Sequence, residues 1–249
     1  MLLRAICLCL SLISLVACGE KKGQDAQKPL IVITSPDSPP FEFKDTARGG
    51  DQVIGFDMDV AHKLGEYLGR PVKIVEADFS GLIPSLHSGR ADMAIAYLSA
   101  TDERRKSVDF SEPYYATKLA LLVPQDSPLT TEKDLEGKRL GAQLGSTNET
   151  LAHQWAKKFP GLSVASLNKV GDLIQELKSG RLEAVIVEDI VAKKIVTSNP
   201  GLKAVSLEVT GNPLSIAFPK GSPLVAPTNE ALKKMKGDIQ EFTSKWLLD

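Results

Sequence analysis

The chain has 249 residues, 43% of them hydrophobic and 6% aromatic, with a formal net charge of −1. That balance, with no block of like charge, excludes a basic nucleic-acid groove. The length suffices for a well-buried core in one large or two medium domains.

In chain order, the first element is a leader. Arg4 precedes an apolar run over residues 5–16 that is broken only by two serines. At about a dozen residues the run falls short of the about 20 that span a bilayer, and has the length of a signal-peptide core. Leu15-Val16-Ala17-Cys18 then resembles a bacterial lipobox. Residues 1–17 are therefore expected to be a signal peptide, and Cys18 the new N-terminus that carries the lipid. A plain secretory cut near Ala17, with Cys18 incidental, is the competing reading. Several acyl chains on one residue make stable anchoring, where a single chain does not. Cys7 and Cys9 leave with the leader, so no disulfide and no cysteine metal site is possible within the mature chain. Residues 18–29 are polar and read as a tether that holds the folded part off the membrane.

Beyond the tether, short apolar runs alternate with amphipathic helices. Residues 30–34 are a β-branched strand, ended by Ser35-Pro36-Asp37-Ser38-Pro39-Pro40. Gly49-Gly50 breaks the next stretch. Over 57–68, Val60, Leu64, Tyr67 and Leu68 share a helical face that Gly69 stops. Strands are predicted at 72–75, 93–97, 119–123, 138–142, 162–164, 184–187, 205–207 and 214–218. Helices are predicted at 150–158, 170–177, 190–196 and 229–248, the last with a break at Gly237. A short stripe of Leu82, Ile83 and Leu86 ends at Gly89. This alternation indicates an α/β protein with mainly parallel sheets. One stretch recurs: Leu82-Ile83-Pro84-Ser85-Leu86-His87-Ser88-Gly89-Arg90 is echoed 91 residues later by Leu173-Ile174-Gln175-Glu176-Leu177-Lys178-Ser179-Gly180-Arg181, with Asp92 and Glu183 following. The echo indicates two lobes of similar design, or chance recurrence of a common helix-stop-strand unit.

Several motifs carry a family resemblance. They are Pro39-Pro40-Phe41-Glu42-Phe43, Gly55-Phe56-Asp57-Met58-Asp59-Val60-Ala61, and Phe79-Ser80-Gly81-Leu82-Ile83-Pro84-Ser85-Leu86. The strongest are Leu98-Ser99-Ala100-Thr101-Asp102-Glu103-Arg104-Arg105 and Val108-Asp109-Phe110-Ser111-Glu112-Pro113-Tyr114-Tyr115. Asp134-Leu135-Glu136-Gly137-Lys138-Arg139-Leu140-Gly141 and Leu144-Gly145-Ser146-Thr147 follow. In this order they resemble the periplasmic amino-acid-binding proteins of ABC transporters, the polar amino-acid group of bacterial extracellular solute-binding proteins. The resemblance implies a two-lobed periplasmic-binding-protein fold of type II with a hinged cleft. It places lobe 1 at 30–115 and 211–249, and lobe 2 at 116–210. It implies a monomer that captures a free amino acid and delivers it to an ABC permease with a cytoplasmic ATPase. It implies no cofactor, and a membrane link through the N-terminal lipid alone.

The resemblance also implies site residues. Arg104 would hold the ligand's α-carboxylate, since a guanidinium offers a planar fork for a bidentate, charge-assisted pair. Without the resemblance it reads as a surface helix arginine. Ser99 would add a hydroxyl, while Thr101 suits a helix cap. Thr147, at a predicted helix start, would meet the carboxylate from the second lobe. Glu188, or Asp189 beside it, would meet the α-ammonium. Phe79 would pack on the ligand side chain, or lie in the core. Tyr97 would bring a ring into the cleft, or pack as a strand residue. Ser38 stands where the family often has an aromatic, and Ser35 where it often has an acid for basic side chains. Asp37 and Glu42 lie close but match neither position. These departures favour a ligand with a neutral or polar side chain over a strongly cationic one.

His62, His87 and His153 lack metal-ligand spacing, and no nucleophile or P-loop motif is present. The alternative from another class is an envelope lyase or dehydratase on the same fold, with Glu188, Asp189 or Tyr97 as acid or base. A third reading is a surface protein that keeps the fold but binds partners.

Overall fold

In the computed structural model, residues 28–45 and 50–248 are described. The leader, Cys18, most of the tether and Gly49 lie outside them. The first part of the chain forms β1 (Leu30–Thr34), β2 (Asp37–Ser38), β3 (Glu42–Lys44), β4 (Val53–Ile54), α1 (Phe56–Leu68) and β5 (Val72–Glu76). A 3-10 turn at Phe79–Gly81 leads to α2 (Leu82–His87), β6 (Met93–Ala94), α3 (Asp102–Arg105) and β7 (Val108–Phe110). The middle part forms β8 (Lys118–Pro124), β9 (Arg139–Gln143), α4 (Thr147–Ala156), β10 (Ser163–Leu167), α5 (Val170–Lys178), β11 (Ala184–Glu188), α6 (Asp189–Ser198) and β12 (Leu202–Thr210). The last part forms β13 (Ala217–Pro219), α7 (Val225–Lys234) and α8 (Lys236–Trp246).

These elements build two lobes. The sheet of lobe 1 runs in the order β5-β1-β6-β13-β7, and that of lobe 2 in the order β10-β9-β11-β8-β12. The chain therefore crosses between lobes twice, after β7 and after β12. Both sheets are mixed. The β5–β1–β6 and β10–β9–β11 pairs are parallel, while β13 and β8 run antiparallel to both neighbours. The reason lies in the crossings. The parallel strands end at the cleft, and β8 and β13 are the strands that follow a crossing. A strand entering its sheet from the cleft runs opposite to strands that finish there.

Apolar side chains on both sheets drive the fold. Val32, Phe56, Leu64, Met93 and Phe218 are fully buried in lobe 1, and Leu122 and Leu140 in lobe 2. Burying such a side chain contributes about 1.5–3 kcal/mol.

The sequence echo falls once in each lobe, on α2–β6 and on α5–β11. Gly89 and Gly180 both take a left-handed conformation at the helix stop, with φ of 68° and 73°, which favours glycine. The acids that follow play one part. Asp92 accepts the backbone N–H of Ile31 and pairs with Arg70. Glu183 accepts the N–H of Arg139 and pairs with its guanidinium. In each lobe, a carboxylate before the incoming strand thus ties down the start of its neighbour.

Three local expectations shift. The closing helix breaks at Met235, where α7 and α8 meet, and not at Gly237. The strand expected at 93–97 ends at Ala94, because Tyr97 turns to a φ of 52°. A small sheet of β2, β3 and β4 lies where only a broken stretch was expected.

Candidate ligand-binding site

Seven of the eight candidate site residues line one cavity between the lobes. Ser38, Phe79, Tyr97, Ser99 and Arg104 come from lobe 1, and Thr147 and Glu188 from lobe 2. Asp189 is not among the lining residues; its carboxylate lies 3.9 Å from Lys193. The space left in the cavity is about 20 Å³. That is about one water molecule's worth and far below an amino acid, while an adjoining space of about 570 Å³ shares Arg104, Ser146, Thr147 and Asn148 with it.

Arg104 is set by the short helix α3. Thr101 caps it, its hydroxyl accepting the Arg104 N–H at 3.2 Å. The guanidinium donates to the Ser99 carbonyl at 2.8 Å and, across the cleft, to the Gly145 carbonyl at 2.9 Å. It lies 5.4 Å from the centre of the Phe79 ring, within cation–π range. Burial lowers its pKa to about 10, so it stays charged at neutral pH. Phe79 is both buried in the lobe 1 core and a wall of the cavity.

The facing wall is the start of α4 and the end of β11. Ser146 caps α4 by accepting the Glu149 N–H at 3.0 Å. Thr147 is the first helical residue, beside N–H groups that have no partner within the helix. Asn148 donates its amide to Glu188 at 3.0 Å. Burial, with the charge of Asp189, lifts the Glu188 carboxyl to about 8.

Behind Tyr97 lies a buried acid pair. Glu42 and Asp57 are both inaccessible to solvent and share a hydrogen bond, which requires one of them to keep a proton. Asp57 accepts the Tyr97 N–H at 2.7 Å and the Tyr114 hydroxyl at 2.9 Å, so it carries the negative charge. Glu42 is pushed well up by burial and then by the charges of Asp57, Asp37 and Glu188, and it holds the proton. Glu42 Oε2 and the Tyr97 hydroxyl are buried without a hydrogen-bond partner. Tyr97 is thus a cavity residue whose ring also packs on Phe41, at 4.5 Å between centres.

Residues 30–249 match the bacterial extracellular solute-binding proteins, family 3. The chain belongs to this family. It is 36% identical over 242 residues to an arginine-binding extracellular protein of Bacillus subtilis (strain 168), a match covering 94% of this chain and 92% of that protein. It superposes with a TM-score of 0.83 on an ancestral arginine-binding protein bound to arginine, at 38% identity, covering 89% of this chain and 99% of the other. An ancestral arginine-binding protein bound to glutamine gives a TM-score of 0.82 at 38% identity, covering 89% and 98%. As a member of this family the chain is a solute-binding protein and not an enzyme. The lyase or dehydratase alternative has no support.

Two cleft residues of this family-3 protein were not singled out by sequence. Gln143 and Asn148 flank the Leu144-Gly145-Ser146-Thr147 motif and line the cavity. Their signal was their place at a strand end and in a helix's first turn, where side chains face a cleft.

Proposed function

We propose that the chain is the lipid-anchored capture subunit of an ABC importer, tethered through Cys18, that acts as a monomer and hands a free L-amino acid to the permease. The observation that carries this reading is the placing of Arg104 and Glu188 in one interlobe cavity. Arg104 takes the α-carboxylate, with Ser99 and Thr147 beside it. Glu188 ionises to meet the α-ammonium. The lobes part at the two crossings to admit the ligand and close on it, a hinge motion. The lobe limits proposed are 30–115 with 211–249, and 116–210. The sheet memberships support them, since β7 ends at Phe110, β8 starts at Lys118 and β12 ends at Thr210. Among the described residues, no helix is long and apolar enough to cross a membrane.

The ligand's side chain is proposed to carry N–H donors, with arginine and glutamine the first candidates. The serines at 35 and 38 argued for a neutral side chain. Against that stand buried acceptors without partners at Glu42 and Tyr97, of which Tyr97 lines the cavity. A buried acceptor is costly until a donor reaches it. Thermal-shift screening of the twenty L-amino acids tests this. Stabilisation by arginine or glutamine is expected; a response confined to apolar amino acids would sink the side-chain assignment.

A further inference from the structure

We propose that Asp37 is an interlobe latch, a residue that sets the balance between open and closed lobes without holding the ligand. The inference rests on the amino-acid reading of the cleft and adds what keeps the cleft shut.

Asp37 belongs to β2 of lobe 1, yet half of the hydrogen bonds to its carboxylate come from lobe 2. Its Oδ2 accepts the Gln143 side-chain amide at 2.9 Å and the Val170 backbone N–H at 3.1 Å. Gln143 ends β9. Val170 opens α5, so its N–H is one that the helix cannot satisfy itself, at the end that favours negative charge. From its own lobe, Asp37 Oδ1 accepts the hydroxyls of Ser38 at 3.3 Å and Ser35 at 3.4 Å. The two serines that depart from the family pattern therefore do more than remove an acid and an aromatic. They make a cradle that aims Asp37 across the gap.

The position separates latch from ligand contact. Ser38 and Gln143 line the cavity, and Asp37 does not. Asp37 lines an outer groove instead, with Lys44, Glu76 and Lys169. The other interlobe tie, from Arg104 to Gly145, uses the guanidinium that the ligand's carboxylate claims. Asp37 makes a tie that the ligand's α-carboxylate does not claim. Opening the lobes breaks two charge-assisted hydrogen bonds at once, the stronger kind.

The test uses the full lipid-bearing chain in detergent, with dyes on cysteines introduced at exposed Lys73 of lobe 1 and Lys157 of lobe 2. Energy transfer reads closure, and titration with L-arginine and with L-glutamine reads affinity. Asp37→Asn and Asp37→Ala should lower the closed fraction without any amino acid. They should weaken both amino acids by the same factor, about tenfold if about 1.4 kcal/mol of closure energy is lost. Gln143→Ala, changed from the other lobe, should give part of the same shift. Adding it to Asp37→Ala should cost less than the two single changes together, as coupled partners do. An unchanged closed fraction in Asp37→Asn and Gln143→Ala overturns the latch. So does a loss confined to arginine, which would make Asp37 a side-chain contact. If neither amino acid binds even the unaltered chain, the ligand reading fails, while the energy-transfer comparison still decides the latch.

Discussion

Arg104→Ala is the sharpest probe of the cleft. The substitution leaves the ligand's desolvated carboxylate without its fork. Breaking such a buried charge pair costs about 2 to 5 kcal/mol. The structure trims that figure. The Arg104 guanidinium already donates to the Gly145 carbonyl, and exchanging that neutral acceptor for the carboxylate offsets about 1 kcal/mol. Roughly 1 to 4 kcal/mol remains, or about 5-fold to 800-fold in affinity. The loss should be equal for L-arginine and L-glutamine, because the α-carboxylate is common to both. Arg104→Lys should recover only part, since a point charge cannot reproduce a planar fork. Arg105→Ala is the control: its guanidinium lies over Phe110 at 5.4 Å, away from the cavity lining. Calorimetric titration of the three variants is the assay, with circular dichroism to confirm folding. Wild-type affinity in Arg104→Ala alongside failure of Arg105→Ala would put the register off by one. Wild-type affinity in both would mean the carboxylate is held elsewhere.

Three further outcomes are expected. Glu188 holds its proton up to about pH 8 in the folded chain but ionises near its ordinary value of about 4.3 when unfolded. Its contribution to stability is therefore full below the unfolded value and declines as pH rises toward 8. The melting temperature without ligand should fall from pH 5.5 to 8.5, and Glu188→Gln should flatten part of that slope. Binding at pH 7 should release protons, seen as a titration heat that varies with buffer; heats independent of buffer would remove Glu188 from the ammonium. Gly145 sits at a φ of 78°, and a Cβ there would lie 3.3 Å from Ser80 Cα across the cleft. Gly145→Ala adds about 1–2 kcal/mol of left-handed strain to that contact. It should weaken arginine and glutamine alike, and unaltered affinity for both would refute the closed contact. Cys18→Ser should leave the chain uncut at Ala17-Cys18 and free of the membrane fraction. Absence of an acyl mass on wild-type Cys18 would end the lipoprotein reading.

Long periodic elements were legible in the sequence, and short ones were not. The helix stripe over 57–68 and its glycine stop correspond to α1 within a residue. The strands β2, β3, β4 and β7 have two or three residues each, too few to show a period. The end of β6 was missed because it depends on a left-handed turn at Tyr97, a conformation that nothing in the local pattern calls for. The break at Met235 is a packing effect: that side chain is fully buried, and α7 and α8 both pack on α1. The cavity lining was legible at Arg104, which lies in a motif, and at Glu188, which the resemblance offered beside Asp189. The site was not legible where function is spread over distance. Asp37 meets Val170 across 133 positions, and no spacing rule reaches that far.

Asp57 shows how the fold holds such a site in place. It lies in the first turn of α1, where a negative charge suits the helix start, but it is fully buried and reaches a pKa of about 7 through that burial. One oxygen holds the N–H of Tyr97, and the other holds the hydroxyl of Tyr114. Tyr97 needs that bond, because a non-glycine residue at positive φ is strained and persists only when its surroundings over-determine it. Tyr114 lies between β7 and β8, on the first crossing between the lobes. A single carboxylate thus ties the cleft residue Tyr97 to the first crossing between the lobes. Glu42 completes the arrangement by keeping a proton beside Asp57, so the two buried acids add at most one negative charge. Tyr97, the acid pair and the crossing are then one hydrogen-bonded unit on lobe 1. Lobe 2 brings the helix start at Thr147 and the carboxyl of Glu188 to meet it.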